Sequence, residues 1–278
     1  MTSLGLDRHA LIINVGGGVV TDLGGFCAAT YKRGVDFIQI PTSLLAMVDA
    51  AIGGKTGVDF FRYKNQIGVF AEPIGTWIEP TFLETLPAQE WVSGYAEIYK
   101  HALINSRDLF NRLNKLTLID PNLDWAEIIW QAIDIKDQIV QRDPLEKGDR
   151  KALNYGHTIG HAIESLRLEQ GAPIPHGWAV AMGVLCESYL STAAGYLTQV
   201  DLDMIGRHIM QIFDCQRLMR DDYEAIYAYC LGDKKNRNGQ ILCTLIGPVG
   251  DFSINQPIDA DQIYSALDYY NGIVSDYA

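Results

Sequence analysis

Two histidines four residues apart, His157 and His161, lie in the run Asn154-Tyr155-Gly156-His157-Thr158-Ile159-Gly160-His161. On a helix that spacing stacks both imidazoles on one face, which suits a divalent metal ion. A pair alone is also what a polar helix face or a hydrogen-bonded core histidine looks like. His176, just ahead of Gly177, reads either as a third ligand or as a loop residue. Glu97 shares a helix face with Lys100. The plainest reading is a solvated salt pair, yet Ala96-Glu97-Ile98-Tyr99-Lys100 is mostly apolar and fits a surface poorly.

A second cluster of signals is backbone chemistry. Gly16-Gly17-Gly18-Val19-Val20-Thr21-Asp22 falls between an apolar run and a helical pattern. Glycines let a backbone approach a diphosphate, and a helix start offers amide donors and a favourable dipole. The spacing is not G-x-G-x-x-G, so a tight turn before a helix remains an equal reading. Arg33, Lys55, Lys64, Lys136, Arg150, Lys234 and Lys235 are isolated cations, some in glycine-rich stretches expected to be loops (Gly53-Gly54-Lys55-Thr56 and Tyr63-Lys64-Asn65). Each taken singly is an ordinary surface charge.

The elements that must position these residues change in texture along the chain. Ala10 to Val15 reads as a buried parallel strand, Val35 to Ile40 as a second, and Thr76 to Glu79 as a short third, with a helix from the glycines through Tyr31. From about Ala88 the pattern becomes long and amphipathic, predicting helices over 88–104, 106–116, 124–142, 151–168, 177–195, 201–213, 220–230 and 259–271. In that second part only 240–246 looks strand-like. The expectation is an incomplete α/β nucleotide-binding domain over 1–87, followed by a mainly α-helical domain over 88–278 that holds metal and substrate.

Composition narrows the function. The 278 residues are 48% hydrophobic and 20% charged, a globular balance. No apolar run is long enough to span a membrane, and the start lacks the regions of a signal peptide, so a cytoplasmic protein is expected. Five scattered cysteines form no C-x-x-C pair, which argues for reduced thiols. A formal charge of −12 disfavours nucleic acid and anionic membranes as partners. A small anionic substrate stays compatible if cations cluster locally.

Taken in order, the segments GGGVVTDLGGFCAATYKRG, IPTSLLAMVDAAIGGKTGV, YKNQIGVF, FLETLP, GYAEIYKHALI, NYGHTIGHAIE, HGWAVAMG and DKKNRNGQ resemble the 3-dehydroquinate synthase family of sugar phosphate cyclases across essentially the whole chain. The resemblance implies a nucleotide-binding α/β domain and a helical domain with the site in the cleft between them. It implies NAD and a divalent ion, zinc or else cobalt, held by Glu97, His157 and His176, with His161 turned to substrate. The implied substrate is the sugar acid phosphate 3-deoxy-D-arabino-heptulosonate 7-phosphate. The implied chemistry is transient oxidation by NAD, loss of phosphate, re-reduction, ring opening and an internal aldol closure.

By position, the resemblance assigns Asp49, Lys55, Asn65, Lys100, Lys136, Arg150, Asn154, His161 and Lys234 (or its neighbour Lys235) to the substrate. Arg33 would reach phosphate across a homodimer contact. Gly17, Gly18, Val19, Asp22, Thr42, Ser43, Leu45, Lys64, Phe82, Thr85, Leu86 and Glu90 match or adjoin NAD contacts. Trp178 stands where the family usually has Glu. Members also carry a further segment ahead of the glycine turn, so the chain is expected to lack the start of its nucleotide domain and to bind NAD weakly or not at all. Rival readings are a valiolone or scyllo-inosose synthase, an iron-type alcohol dehydrogenase, and an inactive scaffold. The Asp233-Lys234-Lys235 run, Lys136 and Asn154 favour a pocket that holds a carboxylate.

Overall fold

The computed structural model describes residues 1–60, 63–117, 123–232, 236 and 239–277, the side chains of 59, 60 and 63–65 excepted. The chain forms two compact units. One comprises Met1–Gly94 with Pro121–Leu145, the other Tyr95–Asp120 with Glu146–Ala278.

In the first unit, β1 (Leu11–Gly16) and β2 (Asp36–Pro41) pair in parallel, joined through α1 (Gly18–Thr30). The sheet order is β1-β2-β5, and β5 is only Gly75–Thr76, shorter than the expected 76–79 strand. The helix lies on the face carrying Ile12, Asn14, Phe37 and Gln39. Ideal Cβ atoms at Gly24 and Gly25 would collide with Asn14 and Thr56, so these glycines are what let α1 approach its neighbours. The Gln39 side-chain amide donates to Thr21 O at 2.9 Å. On the opposite face Leu11, Ile13 and Val15 are each about half exposed, at 48%, 54% and 54%. The strand predicted as buried is therefore buried on one face only. Alternate residues of a strand point to opposite faces, and β1 is an edge of the described sheet.

Two further departures from the sequence reading belong to this unit. Of the stretches expected as glycine-rich loops, Gly53-Gly54 is a bend at positive φ, but Lys55-Thr56 and Tyr63-Lys64-Asn65 belong to an antiparallel pair, β3 (Lys55–Phe60) with β4 (Tyr63–Phe70). The glycines here serve close strand approach: a Cβ on Gly57 or Gly68 would meet the partner backbone at 2.9 or 2.5 Å. Between β2 and β3 the chain makes a π-helical turn, Ala46–Ala50. Such turns occur mostly as single bulges near functional sites, and this one carries Asp49. The unit also takes in α4 (Trp125–Arg142), whose Ile128, Ile129, Ile135, Lys136 and Ile139 are buried on one side.

The helix α2 (Ala88–Asn105) begins in the first unit and runs on into the second. The second unit continues with α3 (Arg107–Leu113), α5 (His157–Glu169), α6 (His176–Ala193), α7 (Gln199–Ile212), α8 (Tyr223–Leu231) and α9 (Ala260–Tyr277). The helix predicted from 151 starts only at His157. Gly156 sits at φ 77°, a left-handed conformation that interrupts a helix and that glycine adopts at little cost. Ahead of it, Asp149–Asn154 forms a 3-10 turn. The strand expected over 240–246 is present as β6 (Ile241–Ile246), and it pairs with β7 (Phe252–Ile258), which the sequence reading missed. Pro257 inside the run, a residue that argues against a strand, disguises it. Among the described residues, no helix is long and apolar enough to cross a membrane.

Candidate functional site

The helical unit gathers Glu97, Lys100, His157, His161 and His176. Glu97 and Lys100 sit one turn apart on α2 and are 0% and 1% exposed. They form a direct ion pair, so the solvated salt-pair reading is set aside. His157 is the first residue of α5 and His176 the first of α6. Their Nε2 atoms stand 3.4 and 3.5 Å from the same oxygen, Glu97 Oε1. That oxygen is fully buried and completes no hydrogen bond.

Those separations are long for N–H···O contacts. They match atoms that share a cation between them: ligands at about 2.0–2.1 Å in a tetrahedron stand roughly 3.3 Å apart. The outer contacts agree. His157 Nδ1 lies 3.0 Å from the Tyr155 carbonyl, so that nitrogen carries the proton and Nε2 keeps its lone pair. His176 Nδ1 faces Glu164 Oε2 at 3.4 Å, a carboxylate–histidine arrangement typical around bound metals. The donor set therefore fits a divalent ion.

Electrostatics point the same way. Burial alone would raise the Glu97 carboxyl, but the Lys100 ammonium and then His157 and His176 hold it well below the usual carboxylate range. Burial pushes the His157 imidazole down despite the pull of Glu97. Burial would also lower His176, yet its contacts with Glu164 and Glu97 carry it up to about 9. A cation arriving at the site would displace that proton.

His161 lies one turn along α5. Its ring centroid is 4.9 Å from that of His157 and 5.6 Å from that of His176, and ligand atoms of the three imidazoles lie within 4.8 Å of one another. Arg150 is buried on the 3-10 turn ahead of α5. The Asn154 amide donates to Glu146 Oε1 at 2.8 Å, and Glu146 adopts a positive φ of 57°. Trp178 is two residues past His176, a spacing that does not share a helix face, and its indole packs edge-on against Phe213 at 6.1 Å.

The first unit holds the other candidates. Gly17 caps α1 in an extended conformation and has no side chain to cover the first-turn amides. Thr42 N donates to Gly16 O at 2.9 Å, drawing the end of β2 against the turn. A Cβ on Gly17 would stand 3.3 Å from Ser43 Oγ, and one on Gly18 3.4 Å from Ala50 Cβ. Val19 is exposed, Asp22 half-buried, and Leu45 flanks the π-helical turn beside Gly94. Phe82 and Thr85 lie on the 3-10 turn Pro80–Thr85, with Leu86 just beyond and Glu90 in the first turn of α2. Lys136 reaches from α4 to Asp49, with Nζ 2.7 Å from Oδ1. Lys55 starts β3 and is exposed, and Arg33 follows α1 at φ 70°. Lys234 and the side chains of Lys64 and Asn65 lie outside the described residues.

Glu164, Glu146 and the Tyr155 carbonyl escaped the sequence reading. Only Glu164 left a trace, as a carboxylate three residues after His161 in an otherwise apolar helix stretch.

Comparison with known proteins gives this geometry its context. The fold is shared with metal- and NAD-bound sugar phosphate cyclases. A 2-epi-5-epi-valiolone synthase from Streptomyces hygroscopicus subsp. jinggangensis 5008, solved with NAD+ and Zn2+, superposes with a TM-score of 0.84 at 28% identity, covering 98% of this chain and 76% of that one. A 2-deoxy-scyllo-inosose synthase with carbaglucose-6-phosphate, NAD+ and Co2+ gives 0.83 at 24% identity, over 96% and 76%. In sequence, the 3-dehydroquinate synthase N-terminal family matches residues 1–93 and the C-terminal family residues 94–236. A 3-dehydroquinate synthase of Parabacteroides distasonis is 41% identical over 271 residues, 97% of this chain and 77% of the relative. The chain belongs to the 3-dehydroquinate synthase family.

Proposed function

We propose that the protein is a 3-dehydroquinate synthase, a carbon–oxygen lyase that converts 3-deoxy-D-arabino-heptulosonate 7-phosphate to 3-dehydroquinate and phosphate. The observation that carries this beyond family membership is the buried Glu97 oxygen facing two imidazoles, with Lys100 on the other carboxylate oxygen. A divalent ion, zinc by preference, held by Glu97, His157 and His176 would act as a Lewis acid on a substrate hydroxyl. This activity requires, against the expectation of weak binding, that NAD bind at the glycine turn with Thr42, Ser43 and the 82–90 segment, where it would take up and return the hydride.

The chain's own residues supply position and charge. His161, beside His157, would move a proton rather than serve as a ligand. Arg150 and Lys136 take the anionic groups of the substrate, each charge-assisted bond contributing about 1.5–3 kcal/mol. Lys136 is now paired with Asp49, so substrate must share or displace that carboxylate. Asn154, Lys100, Lys55, Asn65 and Lys234 complete the substrate set. Residues 1–87 serve the nucleotide and 88–278 the metal and substrate. The same reading implies a cytoplasmic homodimer in which Arg33 meets phosphate from the neighbouring copy.

Release of inorganic phosphate, measured with several sugar phosphates in the presence of NAD and zinc, tests it. Turnover of the heptulosonate phosphate alone is expected. Preference for a sugar phosphate without a carboxylate would reassign the protein to another cyclase.

A further inference from the structure

The helix α6 does more in this unit than present His176. Eleven residues on, three helical turns along and so on the same face, it carries Glu187, whose side chain is completely buried. Its carboxylate accepts three backbone N–H groups from the turn that opens α5. Gly156 N donates to one oxygen at 2.7 Å, and Thr158 N and Ile159 N to the other at 3.1 Å each. These amides bracket His157 on both sides. Next to Glu187, Ser188 Oγ donates to Val184 O at 2.7 Å and receives the Tyr155 hydroxyl at 2.5 Å. The Tyr155 carbonyl is in turn the acceptor that orients the His157 ring.

Glycine lets the two segments come this close. Gly156 holds φ 77°, and a Cβ on Gly183 would lie 1.9 Å from Gly156 O. An ordinary helix cap is local and binds one or two amides of its own first turn. Here the acceptor comes from another helix, is ionic, and grips the residues flanking a candidate ligand.

We propose that Glu187 is a positioning residue for the metal site, fixing where the His157 imidazole stands by clamping residues 156–159. The inference rests on the metal reading above. If it is right, α6 supplies one imidazole directly and sets the other through Glu187. A glutamine at 187 would direct an amide N–H at one of these backbone N–H groups, so at least one contact must break and the turn must shift.

Cobalt(II) binding tests this, read by chelator competition and by the visible ligand-field bands of the purified full chain. Glu187→Gln is expected to weaken cobalt binding about 10–100-fold, the usual effect of losing an outer-shell support, and to shift the bands. Leu113→Ala, a buried truncation on α3, which carries none of the proposed ligands, is expected to lower Tm while leaving affinity and spectrum as in the wild type. Should Glu187→Gln not fold, Glu187→Asp, which keeps the charge but draws it back by one methylene, carries the same expectation. Wild-type affinity and bands in the folded Glu187 variant overturn the inference alone, as does a parallel loss in Leu113→Ala. A wild-type protein that takes up no cobalt overturns the metal reading as well.

Discussion

The two units prepare for chemistry in opposite ways. In the helical unit the reactive groups are largely buried side chains: Glu97 and Lys100 are essentially inaccessible, and the His157 and His176 imidazoles each face an outer partner. In the α/β unit the candidate cofactor groups are backbone and surface. Gly17 and Gly18 offer a turn without side chains, and Val19 is 81% exposed. Buried charge is costly unless paired, so the helical unit must hold its site rigid even without ligand. A glycine turn costs little to expose and depends on a ligand for its remaining contacts. Substitutions should therefore damage folding in one unit and binding in the other.

The largest effect is expected from Glu97→Ala. It removes the buried carboxylate paired with Lys100 and should cost about 3–5 kcal/mol, as breaking buried pairs does, visible in urea unfolding of metal-free protein. A loss below about 1 kcal/mol would mean that other contacts hold the Lys100 ammonium, and the contrast between the units would weaken.

His208 offers a second probe of buried polarity. It is packed in the helical unit with Tyr95 Oη 2.7 Å from its Nε2, and burial pushes it down to about 4. With the ring neutral, its Nε2 and the Tyr95 hydroxyl share one hydrogen bond. Because the unfolded chain takes up the proton first, this part of the stability is complete above about pH 6.5. It is lost as pH falls toward about 4, at roughly 1.36 kcal/mol per pH unit. His208→Gln keeps an acceptor without titrating, so its unfolding free energy should fall less steeply between pH 7 and 4.5. Parallel curves would count against it.

Lys136→Ala and Arg150→Ala should each weaken substrate binding by about 1.5–3 kcal/mol while NAD binding barely changes, as calorimetric titration with each ligand would show. Equal losses for both ligands would break the division of labour. The smallest structural change, Gly17→Ala, places a Cβ 3.3 Å from Ser43 Oγ at a φ of −75° that alanine accepts. Tm should stay nearly constant while NAD affinity drops about tenfold, roughly 1.4 kcal/mol. A large fall in Tm with unchanged NAD binding would invert the expected pattern.

The same contrast explains what could be read in advance. The amphipathic period announced α4 closely, since its buried face repeats every three to four residues; α2 was bounded nearly as well although residues 93–104 are buried all round. The glycine turn after β1 was also visible. The β3–β4 pair was not, because its glycines look like loop residues until the partner strand is beside them. In the site, Glu97, His157 and His176 were named through resemblance, whereas spacing alone pointed to His157 with His161. Glu187 could not be seen at all: its partners are amides 28 to 31 residues away, and amides have no residue type.

The most direct test sets Glu97 against His161 as the third metal ligand. Zinc affinity by chelator competition should fall more than 100-fold in Glu97→Gln and in His176→Gln. It should stay within about threefold of wild type in His161→Gln, with phosphate release from the heptulosonate phosphate lost in all three. Metal retained by Glu97→Gln and lost by His161→Gln would show that three imidazoles hold the ion and that the carboxylate on α2 does not.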